Sequence, residues 1–120
     1  MNPSRRIAHR LLDMLEEINR IRETLDGETF ESFRNHRLKR PAVERMLEII
    51  SEASRHVPDE VKSAYHNVPW RKIAGVGNIL RHSYHETDPA ILWDIYENHL
   101  SQLENTIRAV QPRYPDVEND

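Results

Sequence analysis

Ile7, Leu11, Met14, Ile18, Ile21 and Leu25 step by four and three in alternation, which lays one apolar seam along a helix from about Ser4 to Leu25. Asp26-Gly27 supplies its stop. Thr29 is placed to cap a short helical turn carrying Phe30 and Phe33. A second seam of Val43, Met46, Leu47, Ile50 and Ala53 predicts a helix from Pro41 to about His56, with Pro41 in its first turn, where a missing N–H costs little. Pro58 ends it, and Asp59 to Tyr65 suit another short turn. Pro69 opens a helix running to about His85, with Ile73, Val76, Leu80 and Tyr84 on one side. Asp88-Pro89 is a cap followed by a first-turn proline, and it starts a last helix to about Gln111. Ile91, Leu92, Ile95, Leu103, Ile107 and Val110 face inward from that helix.

Strand signals are missing: there are no alternating β-branched runs and no hairpin turn pairs. The expected fold is all-α, an up-and-down bundle of four main helices with short extra helical turns. A chain of 120 residues suits one domain, here residues 1–111. Residues 112–120 form an acidic, proline-punctuated tail expected to lack fixed structure.

Composition narrows the function. With no cysteine, disulfides, thiolate metal sites and a cysteine nucleophile are excluded, which fits a reducing cytoplasm. No apolar run approaches the ~18 residues of a membrane span, and a signal-peptide core is missing, so a cytoplasmic location and no membrane contact are expected. Charged residues are 31% of the chain, yet the formal net charge is −3. A protein built to grip long nucleic acid is usually clearly basic, so any RNA contact should be local. The charge is uneven: Arg5, Arg6 and Arg10 crowd the start, Arg34, Arg37, Lys39 and Arg40 form a basic run, and acids dominate from Asp94 onward.

The most distinctive segment runs from Gly75 to His85. On a helix, Asn78, Arg81, His82 and His85 fall opposite the apolar seam. An imidazole can move a proton near neutral pH, and a guanidinium can hold a phosphate; a solvated polar face is the plainer reading. Gly75 and Gly77 fit close helix approach, either within the chain or against a second copy. Tyr84 is either a rim-of-core aromatic or a reactive hydroxyl. Glu52 is either a partner for an arginine near this stripe or an exposed flank residue. His82, His85 and Glu86 offer too few ligands at the right spacing for a metal site. The other histidines read as surface residues, and no phosphate loop or Ser-His-Asp wording is present. No metal or cofactor is expected.

The stretch Trp70 to Ile95 resembles the HepT-like toxins of the HEPN ribonuclease superfamily. Their usual wording is a Trp followed by I-x-G/A-x-R-N-x-L-x-H-x-Y, a short acidic stretch and an Ile/Val-Trp pair. Here it reads Trp70-Arg71-Lys72-Ile73-Ala74-Gly75-Val76-Gly77-Asn78-Ile79-Leu80-Arg81-His82-Ser83-Tyr84, then Asp88-Pro89 and Leu92-Trp93. The segment Met46 to Ala53 is similar to the family's L-x-I-I-G-E-A stretch. The helix order agrees over roughly residues 5–110.

The resemblance implies a metal-independent endoribonuclease, the toxin of a toxin–antitoxin pair. Such a toxin acts as a homodimer on RNA and is neutralised by a minimal nucleotidyltransferase (MNT-type) antitoxin. His82 takes the position of the family's acid/base histidine, Asn78 that of the residue after its arginine, and Tyr84 that of the tyrosine modified by AMP transfer. The arginine itself is replaced by Gly77. Arg81, beside His82, is the candidate to replace it, and Arg71 lies near the start of the same helix. The alternative is a non-catalytic helical dimer that binds a nucleotidyltransferase, its cleavage lost with that arginine.

Overall fold

The computed structural model describes residues 2–82 and 87–117. Its elements are α1 (Pro3–Leu25), α2 (Phe30–Arg34), α3 (Lys39–Ser54), α4 (Asp59–Ala64), α5 (Trp70–His82), α6 (Pro89–Asn98), α7 (Leu100–Val110) and a closing 3₁₀ turn, Gln111–Arg113. The expected all-α bundle is what forms. Among the described residues there is no strand, and the molecule measures 49 × 26 × 25 Å.

Local chemistry explains the helix ends. Asn2 caps α1 by accepting the Arg5 N–H at 2.9 Å, with Pro3 at the first helical position. Gly27, at φ 78°, turns the chain out of α1 in the left-handed conformation that glycine adopts without strain. Thr29 and Ser32 form a reciprocal capping box on α2. The cap on α3 is different: His36 Nδ1 accepts the Leu38 and Lys39 N–H groups at 3.2 and 3.0 Å. Asp88 caps α6 through the Ala90 N–H at 2.9 Å.

The apolar seams meet as expected. Leu11, Met14, Ile18, Ile21 and Leu25 of α1 pack with Val43, Leu47 and Ile50 of α3 and with Ile73 and Val76 of α5, all buried. Each such side chain contributes roughly 1.5–3 kcal/mol on leaving water. Phe33 is fully buried and meets the Trp93 ring at 5.5 Å between centroids, which ties α2 to α6.

The final helix departs from expectation. It breaks at His99 into α6 and α7, where the backbone leaves the helical region (φ −126°, ψ −21°). Beyond the break, Leu100, Leu103, Ile107 and Val110 form the buried side of α7. The tail, expected to lack fixed structure, has contacts as far as Val117. Asn2 Nδ2 donates to the Val117 carbonyl at 3.2 Å, Ser4 Oγ to that of Pro115 at 3.3 Å, and Tyr114 Oη to Glu60 at 3.0 Å. Residues 118–120 lie outside the described residues.

Candidate active site on the fifth helix

α3 is the platform on which α5 lies, and the two run antiparallel. Arg55, just past the end of α3, donates from Nη2 to the Ala74 carbonyl at 3.0 Å. At the other end Arg40 Nη2 donates to the Thr87 carbonyl at 2.6 Å, and its Nη1 to the Arg34 carbonyl at 2.9 Å. Thr87 is thus held against the start of α3.

Midway, the buried hydroxyl of Ser51 joins the helices. It donates to the Ala74 carbonyl at 2.8 Å and accepts the Gly77 N–H at 3.1 Å. Gly77 is itself buried, and a β-carbon there would stand 2.5 Å from Ser51 Oγ. Close approach at Gly77 is therefore made within the chain. Gly75 differs, with nothing within 4 Å of its β-carbon position.

Asn78, Arg81 and His82 are all exposed on the opposite side of α5 from Ile73 and Val76, and Arg71 is exposed near the start of the same helix. Arg81 Nη2 donates to Asn78 Oδ1 at 3.1 Å. Its Nη1 lies 3.4 Å from the β-carbon position of Gly77. The guanidinium of residue 81 is thus folded back over residue 77. The Asn78 side-chain carbonyl thus orients the guanidinium. His82 makes no hydrogen bond to the described residues, which leaves its ring open to a ligand. Tyr84, His85 and Glu86 lie outside the described residues. Glu52 is an exposed flank residue near Arg55 and His56, at 4.0 and 3.6 Å. Among the described residues, no three His, Asp or Glu side chains are grouped to hold a metal ion.

Sequence reasoning missed Ser51 and Arg40. For Ser51 a signal exists: the family stretch places Gly where this chain has Ser51, and its motif places Arg where this chain has Gly77. The small residue has moved from one helix to the other. Arg40 sits in a basic run with no feature that singles it out.

The fold and this helix define a small helical-bundle protein. The family model for Ribonuclease HepT-like proteins matches residues 14–110, and the chain belongs to that family. A Methanocaldococcus jannaschii protein named as a candidate RNase is 35% identical over 100 residues, covering 83% of this chain and 92% of its own. The Thermococcus cleftensis protein named Probable ribonuclease HepT is 34% identical over 101 residues, covering 84% and 92%. A second M. jannaschii protein, also named as a candidate RNase, is 30% identical over 118 residues, covering 98% and 95%. No solved structure matches. No helix among the described residues is long and apolar enough to cross a membrane.

Proposed function

We propose that the chain is a metal-independent endoribonuclease, the toxin of a toxin–antitoxin pair with a nucleotidyltransferase antitoxin. The observation that carries this is the placement of Arg81. Its guanidinium is held by Asn78 over Gly77, one residue from an exposed His82. Charge that the family motif draws from residue 77 is supplied from residue 81.

Cleavage of this kind needs a base, an acid and positive charge. The RNA 2′-hydroxyl loses its proton to a base and attacks the adjacent phosphorus. The bond to the 5′-oxygen breaks, and that oxygen takes a proton from an acid, leaving a cyclic phosphate. His82 serves in one of these roles, worth about 10²–10⁴ in rate. Arg81 places two forked donors on the phosphate oxygens as charge builds there. A homodimer that apposes two His82 rings supplies both acid and base. The open space over Gly75, on the same helix, supports a close approach by a second copy. Tyr84 is the proposed target for AMP transfer by the antitoxin, which places bulk and negative charge beside His82.

A second reading, a non-catalytic subunit that binds a nucleotidyltransferase, is favoured by one observation: the buried fit at Gly77 leaves no room for the motif arginine. Purified parent and His82→Ala proteins incubated with RNA in EDTA separate the readings. Cleavage by the parent alone supports the nuclease. Intact RNA with both, while both are folded dimers, gives the lead to the binding subunit. Mass spectrometry after co-expression with the genomic neighbour tests Tyr84, and an unmodified tyrosine rejects that part.

A further inference from the structure

The first three turns of α1 and the end of α3 enclose a groove of about 640 Å³, lined by Arg6, Ile7, His9, Arg10, Asp13 and His56. That volume is within the range of ligand sites. Its charge is unbalanced. The side chains of Arg6 and Arg10 make no ion pair or hydrogen bond to the described residues, although Arg10 is half-buried. They stand one helical turn apart, with β-carbons about 5–6 Å from each other. Several other arginines are matched with acids, as in Arg22 with Glu104 and Arg34 with Glu31.

The rim of the groove already holds an anion. Asp116 Oδ1 accepts from Arg5 Nε at 3.0 Å and lies 3.1 Å from His9 Nε2. His9 both lines the groove and touches this carboxylate, so the tail reaches the mouth of the groove and leaves Arg6 and Arg10 behind it. Glu118 and Asp120 follow in the sequence.

We propose that this groove binds successive phosphates of a single-stranded RNA, and that Asp116 competes with the strand for it. The choice of RNA as the source of the phosphates rests on the ribonuclease reading. Guanidinium forks fit phosphate oxygens in pairs, and a nucleic-acid strand presents its anions in series, which suits Arg5 at the rim followed by Arg6 and Arg10. The groove lies at the His56 end of α3, whereas Thr87, beyond His82, is held at the Arg40 end. It is a docking site apart from the cleavage chemistry.

The test is fluorescence anisotropy with a labelled, unstructured 20-nucleotide RNA, at several salt concentrations. His82→Ala is the background throughout, so that binding is read without cleavage. Changing Arg6 and Arg10 together to Ala should weaken binding at least roughly tenfold and flatten the plot of log affinity against log salt by about 1.4. Asp116→Asn should tighten binding severalfold. Circular dichroism checks that these surface variants stay folded. Equal affinity and slope with and without the two arginines overturns the site; equal affinity for Asp116→Asn and its parent overturns the tail as competitor. The outcome is separable from the nuclease reading. A chain that never cleaves RNA yet shows these shifts keeps the groove and loses the nuclease. One whose KM for RNA is unmoved by the arginine changes keeps the nuclease and loses the groove.

Discussion

Ser51 and Gly77 form a fitted pair at the crossing of α3 and α5: the serine hydroxyl accepts the glycine N–H at 3.1 Å and stands 2.5 Å from where a β-carbon on residue 77 would be. The Ser51 β-carbon is also close to that point, at 2.9 Å. Neither neighbour is the far end of a flexible side chain, so a larger residue at 77 must push the helices apart. Gly77→Ala should therefore lose about 2–3 kcal/mol to overpacking, offset by the ~1 kcal/mol helix advantage of alanine to leave a net loss of about 1–2 kcal/mol. Thermal melting checks this, and a variant as stable as the parent contradicts the fit.

The same pair governs any attempt to restore the family motif. Gly77→Arg alone should fold poorly, because the stem of the new side chain starts inside the Ser51 contact. With Ser51→Gly in the same chain the β-carbon gains space, and most of the lost stability should return. Melting curves of the single and double variants give the coupling directly. Additive effects would mean that the two sites are independent. The folded double variant is also the proper test of whether an arginine at 77 raises RNA cleavage.

Activity should depend on residue 81 through its shape as well as its charge. Arg81→Lys keeps a cation but loses the fork that binds Asn78 and, in the proposed reaction, two phosphate oxygens. Cleavage by Arg81→Lys should fall well below the parent, and His82→Ala should lose about 10²–10⁴ in rate. Asn78→Ala frees the guanidinium and should lower kcat more than it raises KM. Full activity in Arg81→Lys would show that point charge suffices, and would remove the positioning role of Asn78.

Much of the fold is legible because the seams of α1 and α3 keep strict helical spacing and several helix starts carry their own chemical signal. Asn2, Thr29 and Asp88 are short polar side chains that reach nearby N–H groups, so neighbouring residues suffice to place them. The break at His99 is not legible that way. The apolar spacing reads as one helix through this point, and neither glycine nor proline marks a stop there. The His36 cap on α3 is hidden for a related reason: an imidazole is an uncommon cap, and its two bonds depend on the bend between α2 and α3. At the site, the exposure of Asn78, Arg81 and His82 follows from the seam on the other side. That Gly77 is filled from α3 by Ser51 and overlaid by Arg81 depends on contacts 26 residues away in the chain.

Arg40 is a strap between the start of α6 and the end of α2. Its Nη2 donates to the Thr87 carbonyl and its Nη1 to that of Arg34, so one side chain holds both. Arg40→Ala should remove both bonds and cost about 1–3 kcal/mol, since charged donors to carbonyls rank among the stronger hydrogen bonds. Arg40→Lys cannot span both carbonyls with one point donor and should recover only part. Hydrogen exchange at the Ala90 and Ile91 amides, which Asp88 holds at the start of α6, should quicken in both variants. Unchanged exchange would place the hold on this segment elsewhere.

Acid should weaken the joint between α5 and α6. Asp94 of α6 accepts from Lys72 of α5, from Asn98 at 2.8 Å, and lies 3.3 Å from His99 Nε2 beside the break. The Lys72 bond, then the Asn98 bond, hold its carboxyl down at about 2, against 3.8 for an unpaired aspartate. As pH falls, the unfolded chain takes up this proton first, so the stabilising contribution is complete above about pH 4. It is lost as pH drops through 2. A third of the side chain is exposed, so solvent screens the pairs and the effect is modest. Asp94→Asn has no charge to protonate. Its melting temperature should start below the parent at pH 7 and approach it between pH 4 and 2, as the parent loses what the variant already lacks. A gap that stays constant over that window would show that the ionised carboxylate contributes nothing beyond its hydrogen bonds.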